Sequence, residues 1–285
     1  MKNKIITWAV RIFVRCSLFL HSLLFKHYRG LTHFVVDNKA PAVMSDYGKM
    51  VVQDYKQFLL ESKANFSLKG SSILEIGTGN SLHVALQLAL SGNDVTTLDR
   101  FKNVANFSAD VTDFCQQTGI ICEVLSPVSA RVGSGSITYA VQALETHNND
   151  WISKFDLVLS RATLEHVEDP ELCVKNLASY SKSTTIQCHE IDHRDHGIFS
   201  HFKIFSNMAF HKLNTETWSE LIRLHPGIPN KVNASRYQEF FMTAGFYSIE
   251  TFCRHGASSH SFKKVDSIAL ASFPVSVLVI GKKAS

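Results

Sequence analysis

A short, mostly apolar run, Ser72 to Ile76, passes without a break into Gly77-Thr78-Gly79 and then into a helix-forming stretch, Ser81 to Leu90. No other feature constrains the chain as tightly. A run without polar alternation suits a strand buried on both faces. Two glycines at alternate positions allow a sharp bend and the close approach of a ligand to the backbone. The first amides of the next helix have no partner within it and face whatever lies beyond the bend.

The same rhythm continues down the chain. Strands are predicted at Asp94 to Leu98, Ile137 to Val141, Phe155 to Ser160, Thr184 to Cys188, Tyr247 to Phe252 and Val275 to Ile280. With the first run they make seven. Helical stretches lie between them, among them one opened by Pro170 and one from Tyr237 to Ala244 that stops at Gly245. Strands alternating with helices predict an α/β fold with a mostly parallel sheet covered on both faces. A helical lead-in, with Tyr47, Met50, Val51, Tyr55, Phe58 and Leu59 at helical spacing, precedes the first strand. Residues 101 to 136 are expected to form a helix-and-loop connection ending in a flexible Gly133-Ser134-Gly135-Ser136. The stretch from about 190 to 235 has no simple period and is expected to be a lid insertion.

The 285 residues carry a net charge of +4, too mild to imply a nucleic-acid partner. Six of the 29 basic residues (Lys2, Lys4, Arg11, Arg15, Lys26 and Arg29) precede Asp37, and no acid does. In a helix, Lys4, Arg11, Arg15, Lys26 and Arg29 share one face, with Ile5, Ile6, Ile12, Phe13, Leu20, Leu23 and Leu24 around the rest. Arg11 and Arg15 break the run of about 20 apolar residues that a membrane span needs. Residues 1–36 are therefore read as a basic amphipathic helix, either lying on an anionic membrane surface or packed on the domain formed by 37–285. None of the six cysteines forms a CxxC pair. They are expected to be reduced, in a cytoplasmic protein that sits free or against the inner face of the membrane.

Glu75, just before the bend, would repel a pyrophosphate, and Leu82 stands where a dinucleotide fingerprint needs its third glycine. The same carboxylate suits a cationic ligand. Asp99 ends the second strand, where an acid can accept both hydroxyls of a ribose.

Glu75-Ile76-Gly77-Thr78-Gly79 resembles the first motif of class I S-adenosylmethionine-dependent methyltransferases, and Asp99 matches their acid after the second strand. Phe155 to Val167, with its Leu164-Glu165-His166, resembles their fourth-strand motif in the small-molecule branch; Ala244-Gly245-Phe246 is similar as well. The resemblance spans about 71 to 282. It implies a Rossmann-like seven-stranded sheet and S-adenosylmethionine as cofactor. It implies further that Glu75, Gly77, Thr78 and Gly79 hold the methionine part, Asp99 the ribose, and Gln142 and Ala143 the adenine, with Ser160 alongside. At Gln142 many members have an acid, so the chain departs from the pattern there.

Methyl transfer to oxygen or nitrogen needs a group to take up a proton. Two clusters follow strands on the expected ligand side: Glu165-His166, and His189-Glu190-Ile191-Asp192-His193-Arg194-Asp195-His196. His166, His189, Asp192 and His193 are the candidate catalytic residues. The second cluster is open to three readings: a base oriented by an Asp, a divalent metal site, or a polar loop capping its own backbone. The run resembles one in bacterial methyltransferases of surface-polysaccharide gene clusters. That resemblance implies O-methylation of a sugar or of a lipid-linked glycan precursor. A quinone or other small lipophilic acceptor, and a cofactor-binding module without activity, are the alternatives.

Overall fold

The computed structural model describes residues 41–62, 68–102, 104, 106–194, 211, 218, 229–254, 262–264 and 275–283. The expected helix within 1–36, most of the lid and His196 lie outside them. Nearly all the described residues belong to one compact unit, Asn38–Arg194 with Pro229–Ser285.

The elements follow in the order α1 (Pro41–Glu61), β1 (Ser72–Ile76), α2 (His83–Leu90), β2 (Asp94–Asp99), α3 (Phe107–Thr118), β3 (Cys122–Ser126), β4 (Ser129–Val132), β5 (Gly135–Val141), β6 (Phe155–Arg161), α4 (Pro170–Tyr180), β7 (Ser181–Asp192), α5 (Ala234–Thr243), β8 (Phe246–Arg254), β9 (Phe262–Lys264) and β10 (Val275–Lys283). Short 3-10 turns cover Asn149–Trp151 and Leu164–His166. One sheet runs β3-β4-β5-β2-β1-β6-β7-β10-β8-β9. Strands β5, β2, β1, β6 and β7 pair in parallel, and β10 is antiparallel to both neighbours. The sheet is thus a mixed, Rossmann-like α/β sheet.

Among the described residues the sheet has ten strands rather than seven. Each of the seven anticipated strands is present, and the additions lie at the edges. The hairpin β3–β4 replaces the expected loop, because β4 pairs antiparallel with β5. Val124 and Leu125 on β3 are exposed, so that strand has no apolar alternation to betray it. The segment expected to flex is a packed turn. Gly133 sits at φ +58°, and a Cβ on Gly135 would lie 2.2 Å from the Ala89 carbonyl. Strand β7 is also longer than predicted and carries His189 to Asp192 inside the sheet, because β10 pairs with it from Ile280↔Gln187 to Val275↔Asp192.

Two apolar clusters flank the sheet. Ile73, Leu157, Leu159, Cys188 and Val277 meet Val51, Tyr55, Leu86 and Phe114 on the face of α1, α2 and α3. Leu74, Ile76, Val158 and Leu278 meet Val174, Leu177, Tyr237 and Phe241 on the face of α4 and α5. Local signals start the helices. Asn106 accepts from Ala109 N, Asp169 from Leu172 N with Pro170 behind it, and Asn233 from Arg236 N. Gly119 closes α3 in the left-handed region and turns the chain back, bringing the Cα atoms of Cys115 and Cys122 to 6.2 Å. These two are joined as a disulfide, which corrects the expectation of reduced thiols; Cys173, Cys188 and Cys253 are free and buried.

Candidate active site

From β1 the chain order runs to β2 on one side and to β6 on the other. In an open parallel sheet such a reversal leaves a crevice outside the carboxyl ends of the strands. Gly77 leaves β1 there, and Arg161 ends β6 beside it.

Gly77 has φ +88° and Gly79 φ +63°, conformations that side-chain-bearing residues rarely adopt. The two glycines do different work. A Cβ on Gly77 would lie 1.9 Å from Thr163 Oγ1, so packing requires this glycine. A Cβ on Gly79 would meet no described atom within 4 Å, so that backbone faces open space. Asp99 shapes the bend: its Oδ2 accepts from Gly79 N at 2.9 Å and its Oδ1 from Phe101 N at 2.9 Å.

Glu75 is buried beneath the bend and accepts a hydrogen bond from the Thr97 hydroxyl. Thr97 is in turn bonded to the Thr78 hydroxyl at 2.6 Å. Burial pushes the Glu75 carboxyl up to about 7; the Thr97 bond opposes this, and the Asp99 charge adds to it. A buried acid balanced near neutrality is ionised most readily when a cation arrives.

A second group of charges faces the same side of the sheet. Arg161 Nη1 donates to Asp54 of α1 at 2.8 Å, and its Nε lies 3.4 Å from Glu190 of β7. Burial lowers the Arg161 pKa, but Glu190, Tyr47 and Asp54 outweigh it and hold the guanidinium protonated. The Tyr47 phenol, raised first by burial, lies in the field of Arg161, Glu190, Glu75 and Asp54. Gly48 explains how α1 comes so near, since a Cβ there would lie 2.7 Å from the His83 carbonyl at the start of α2.

The structure separates the expected site residues. Glu75, Gly77, Thr78, Gly79 and Asp99 come together around the bend. Gln142 lies beside Asp99 and donates its backbone N–H to the Asp99 carbonyl at 2.8 Å. Its side-chain amide donates to Thr146 O at 2.6 Å, and the Ala143 carbonyl closes the same turn. Ser160 is buried with its hydroxyl on His189 Nδ1 at 2.8 Å, so its side chain faces inward.

His189 is fully buried, bonded through Nε2 to Gln187 at 2.8 Å and stacked on Phe241 at 5.4 Å. Burial drives its pKa down to about 3. It is a neutral core histidine, not a base facing an acceptor. His193 is likewise buried, with Nδ1 3.1 Å from Val232 O and Nε2 2.8 Å from Ser276 Oγ. Asp192 holds Arg194 through both carboxylate oxygens, and its own N–H donates to Glu165. The buried Glu165 carboxyl is raised well above its ordinary range, first by burial. His166 is half-buried at the end of its 3-10 turn. Sequence reasoning missed Asp54 and Arg161, and named Glu190 only as part of its histidine-rich cluster. Arg161 stood inside a quoted motif, but nothing local showed that α1 would bring Asp54 to it.

S-adenosylmethionine fits this donor set. The open backbone at Gly79, the Asp99 carboxylate beside it and a buried acid beneath the bend offer a cationic nucleoside ligand its complements. The model of the methyltransferase domain family matches residues 47–251. No curated protein matches the chain. The solved structures similar to it include phosphoethanolamine N-methyltransferase 2 from Haemonchus contortus in complex with S-adenosyl-L-methionine, at 17% identity and TM-score 0.45, covering 70% of this chain and 37% of that one. The CurJ carbon methyltransferase is similar at 12% identity and TM-score 0.48, covering 89% and 57%. An S-adenosylmethionine-dependent methyltransferase from Methanosarcina mazei is similar at 14% identity and TM-score 0.47, covering 77% and 95%. The chain thus spans well under half the length of the Haemonchus protein. With a family match across most of its length and a cofactor crevice at the chain reversal, this chain belongs to the methyltransferase domain family.

Proposed function

We propose that this methyltransferase domain moves the methyl group of S-adenosylmethionine onto a hydroxyl oxygen of a sugar, carried on a glycolipid or polysaccharide precursor. The observation that carries the reading is the pairing of the Glu75–Gly79 bend and Asp99 with a part-buried charged group, Arg161 on the next strand with Asp54 and Glu190 beside it. Bound S-adenosylmethionine supplies an electrophilic methyl carbon on a positively charged sulfur. The chain's own residues do the rest. Glu75 counters the donor's positive charge from beneath, Asp99 receives the ribose hydroxyls, and α1 brings Asp54 to Arg161. Holding the donor and acceptor in line while excluding water lowers the barrier by removing the entropy of encounter.

The acceptor class is supported by the carboxylate–guanidinium array, which suits neighbouring hydroxyls, and by the acid-free basic segment 1–36. That segment suits an enzyme whose acceptor is anchored at an anionic membrane surface. Calorimetric titration with S-adenosylhomocysteine tests the cofactor half. Transfer of a tritiated methyl group to extracted membrane glycolipids tests the acceptor half. A chain that binds no S-adenosylhomocysteine is not acting as a methyltransferase.

A further inference from the structure

Strand register decides which residues of the run His189 to Asp192 can meet an acceptor. Side chains alternate along β7, so His189 and Ile191 point to the face of α4 and α5, while Glu190 and Asp192 point to the face of Glu75. Glu190 pairs with Arg161, and Ser160, the residue before Arg161, pairs with Ile76. Glu190 therefore stands level with Gly77, with β6 between them. Two inter-strand spacings make about 10 Å, enough for a sulfur-bound methyl group and an attacking oxygen in line.

Charge gives a second argument. Arg161 stands between two acids, Asp54 at 2.8 Å and Glu190 at 3.4 Å, so two carboxylates share this guanidinium. Methyl transfer turns a positive sulfonium into a neutral thioether and releases one proton from the acceptor. The charge of the crevice is conserved if a carboxylate there takes that proton. Glu75 is committed to Thr97 beneath the bend, and Asp99 to Gly79 and Phe101. Asp192 holds Arg194.

We propose that Glu190 holds the acceptor hydroxyl and takes up its proton, with Arg161 as a positioning residue that aims the carboxylate. The inference rests on the hydroxyl-acceptor reading above. In the step, the acceptor oxygen forms a bond to the methyl carbon as the carbon–sulfur bond breaks. The bonding pair stays on sulfur, giving neutral S-adenosylhomocysteine, and the hydroxyl proton passes to a Glu190 oxygen. A carboxylate is basic enough, because the oxygen becomes strongly acidic as its new bond forms.

The test uses the full chain, tritiated-methyl S-adenosylmethionine and extracted membrane glycolipids as the probe acceptor. Glu190→Gln should lower kcat at least about 100-fold, the usual scale for removing a proton acceptor, with S-adenosylhomocysteine affinity within twofold of the parent. Glu190→Asp should retain part of the rate, and added formate should restore part of it in Glu190→Ala. These last two readouts keep the test decisive should Glu190→Gln misfold. Arg161→Lys should raise KM more than it lowers kcat. A Glu190→Gln rate within threefold of the parent overturns the inference. So does a tenfold loss of S-adenosylhomocysteine affinity, which would assign Glu190 to the cofactor. A parent chain that binds S-adenosylhomocysteine but labels no glycolipid overturns the inference and the acceptor class while sparing the cofactor reading; failure to bind S-adenosylhomocysteine at all removes the function itself.

Discussion

Exchanging each of the two glycines of the bend for alanine should produce opposite patterns of damage. In Gly77→Ala the new methyl group collides with Thr163, 1.9 Å from Oγ1 and 3.0 Å from Cβ, on a backbone at φ +88°. The left-handed backbone costs an L-residue about 1–2 kcal/mol. Thr163 must also turn away from the carbonyls of Ile76 and Arg161, which its hydroxyl meets at 3.1 and 3.0 Å. A hydroxyl has one proton to donate, so that loss is about 1 kcal/mol. The total of about 2–3 kcal/mol should lower Tm by about 5–10 °C in a domain of this size. In Gly79→Ala no described atom lies within 4 Å of the new methyl, so the backbone cost of about 1–2 kcal/mol stands alone. There, however, the methyl enters the space a ligand would occupy. Thermal unfolding followed by circular dichroism should rank Gly77→Ala as the less stable variant. Calorimetry should show more than about a tenfold loss of S-adenosylhomocysteine affinity in Gly79→Ala, one obstructed contact being worth at least 1.4 kcal/mol. Adding Thr163→Ala to Gly77→Ala removes two of the three colliding atoms, so the double variant should be no less stable than Gly77→Ala alone. A strictly additive double-mutant cycle, or a Gly79→Ala chain less stable than Gly77→Ala, would refute this division of labour.

Glu75 predicts a pH dependence. Its folded-state pKa of about 7 lies above the ordinary carboxylate value of 4.5, so its contribution to stability is fully present below about 4.5 and is lost as pH rises toward about 7. The ligand-free chain should lose on the order of 3 kcal/mol across that window, and Glu75→Gln should flatten the curve; urea titrations from pH 4.5 to 8 check both. Affinity for cationic S-adenosylmethionine should rise over pH 6 to 8 more than affinity for S-adenosylhomocysteine, and equal slopes would remove Glu75 from the donor's charge. Asp99→Ala should weaken cofactor binding by about 1.5–3 kcal/mol, the value of charged hydrogen bonds; an unchanged Kd would exclude the ribose role. His189→Ala should cost about 2–4 kcal/mol, because it opens a cavity and strands Ser160 and Gln187, and should leave S-adenosylhomocysteine affinity unchanged. Removing residues 1–36 should abolish co-sedimentation with anionic vesicles while leaving the rest folded; an insoluble product would show instead that the segment is part of the core.

The α/β fold and the cofactor bend were legible in the sequence because both depend on local chemistry. Apolar runs of strand length, glycines at alternate positions, and acids at Glu75 and Asp99 need no distant partner to be recognised. Of the starts of α3 to α5 only that of α4 was read, from Pro170; the caps Asn106 and Asn233 went unread, although each acts on an amide only three residues away. The hairpin β3–β4 was not legible, because β3 buries no continuous face and leaves Val124 and Leu125 exposed. The disulfide between Cys115 and Cys122 was hidden too, since Gly119 had first to turn the chain back.

The run His189 to His193 shows where sequence stops. Composition there pointed to histidine as the base, yet the histidines face the core and Glu190 faces Arg161. Strand alternation alone divides the run into two sets of side chains. Which set meets the ligand is decided by pairing with β6 and β10 and by helices packed on each face, contacts between residues tens of positions apart in the chain. The sequence by itself determined what kind of ligand the bend can hold. Only the tertiary structure decided which acid stands beside it, because burial and register belong to the whole sheet rather than to any one segment.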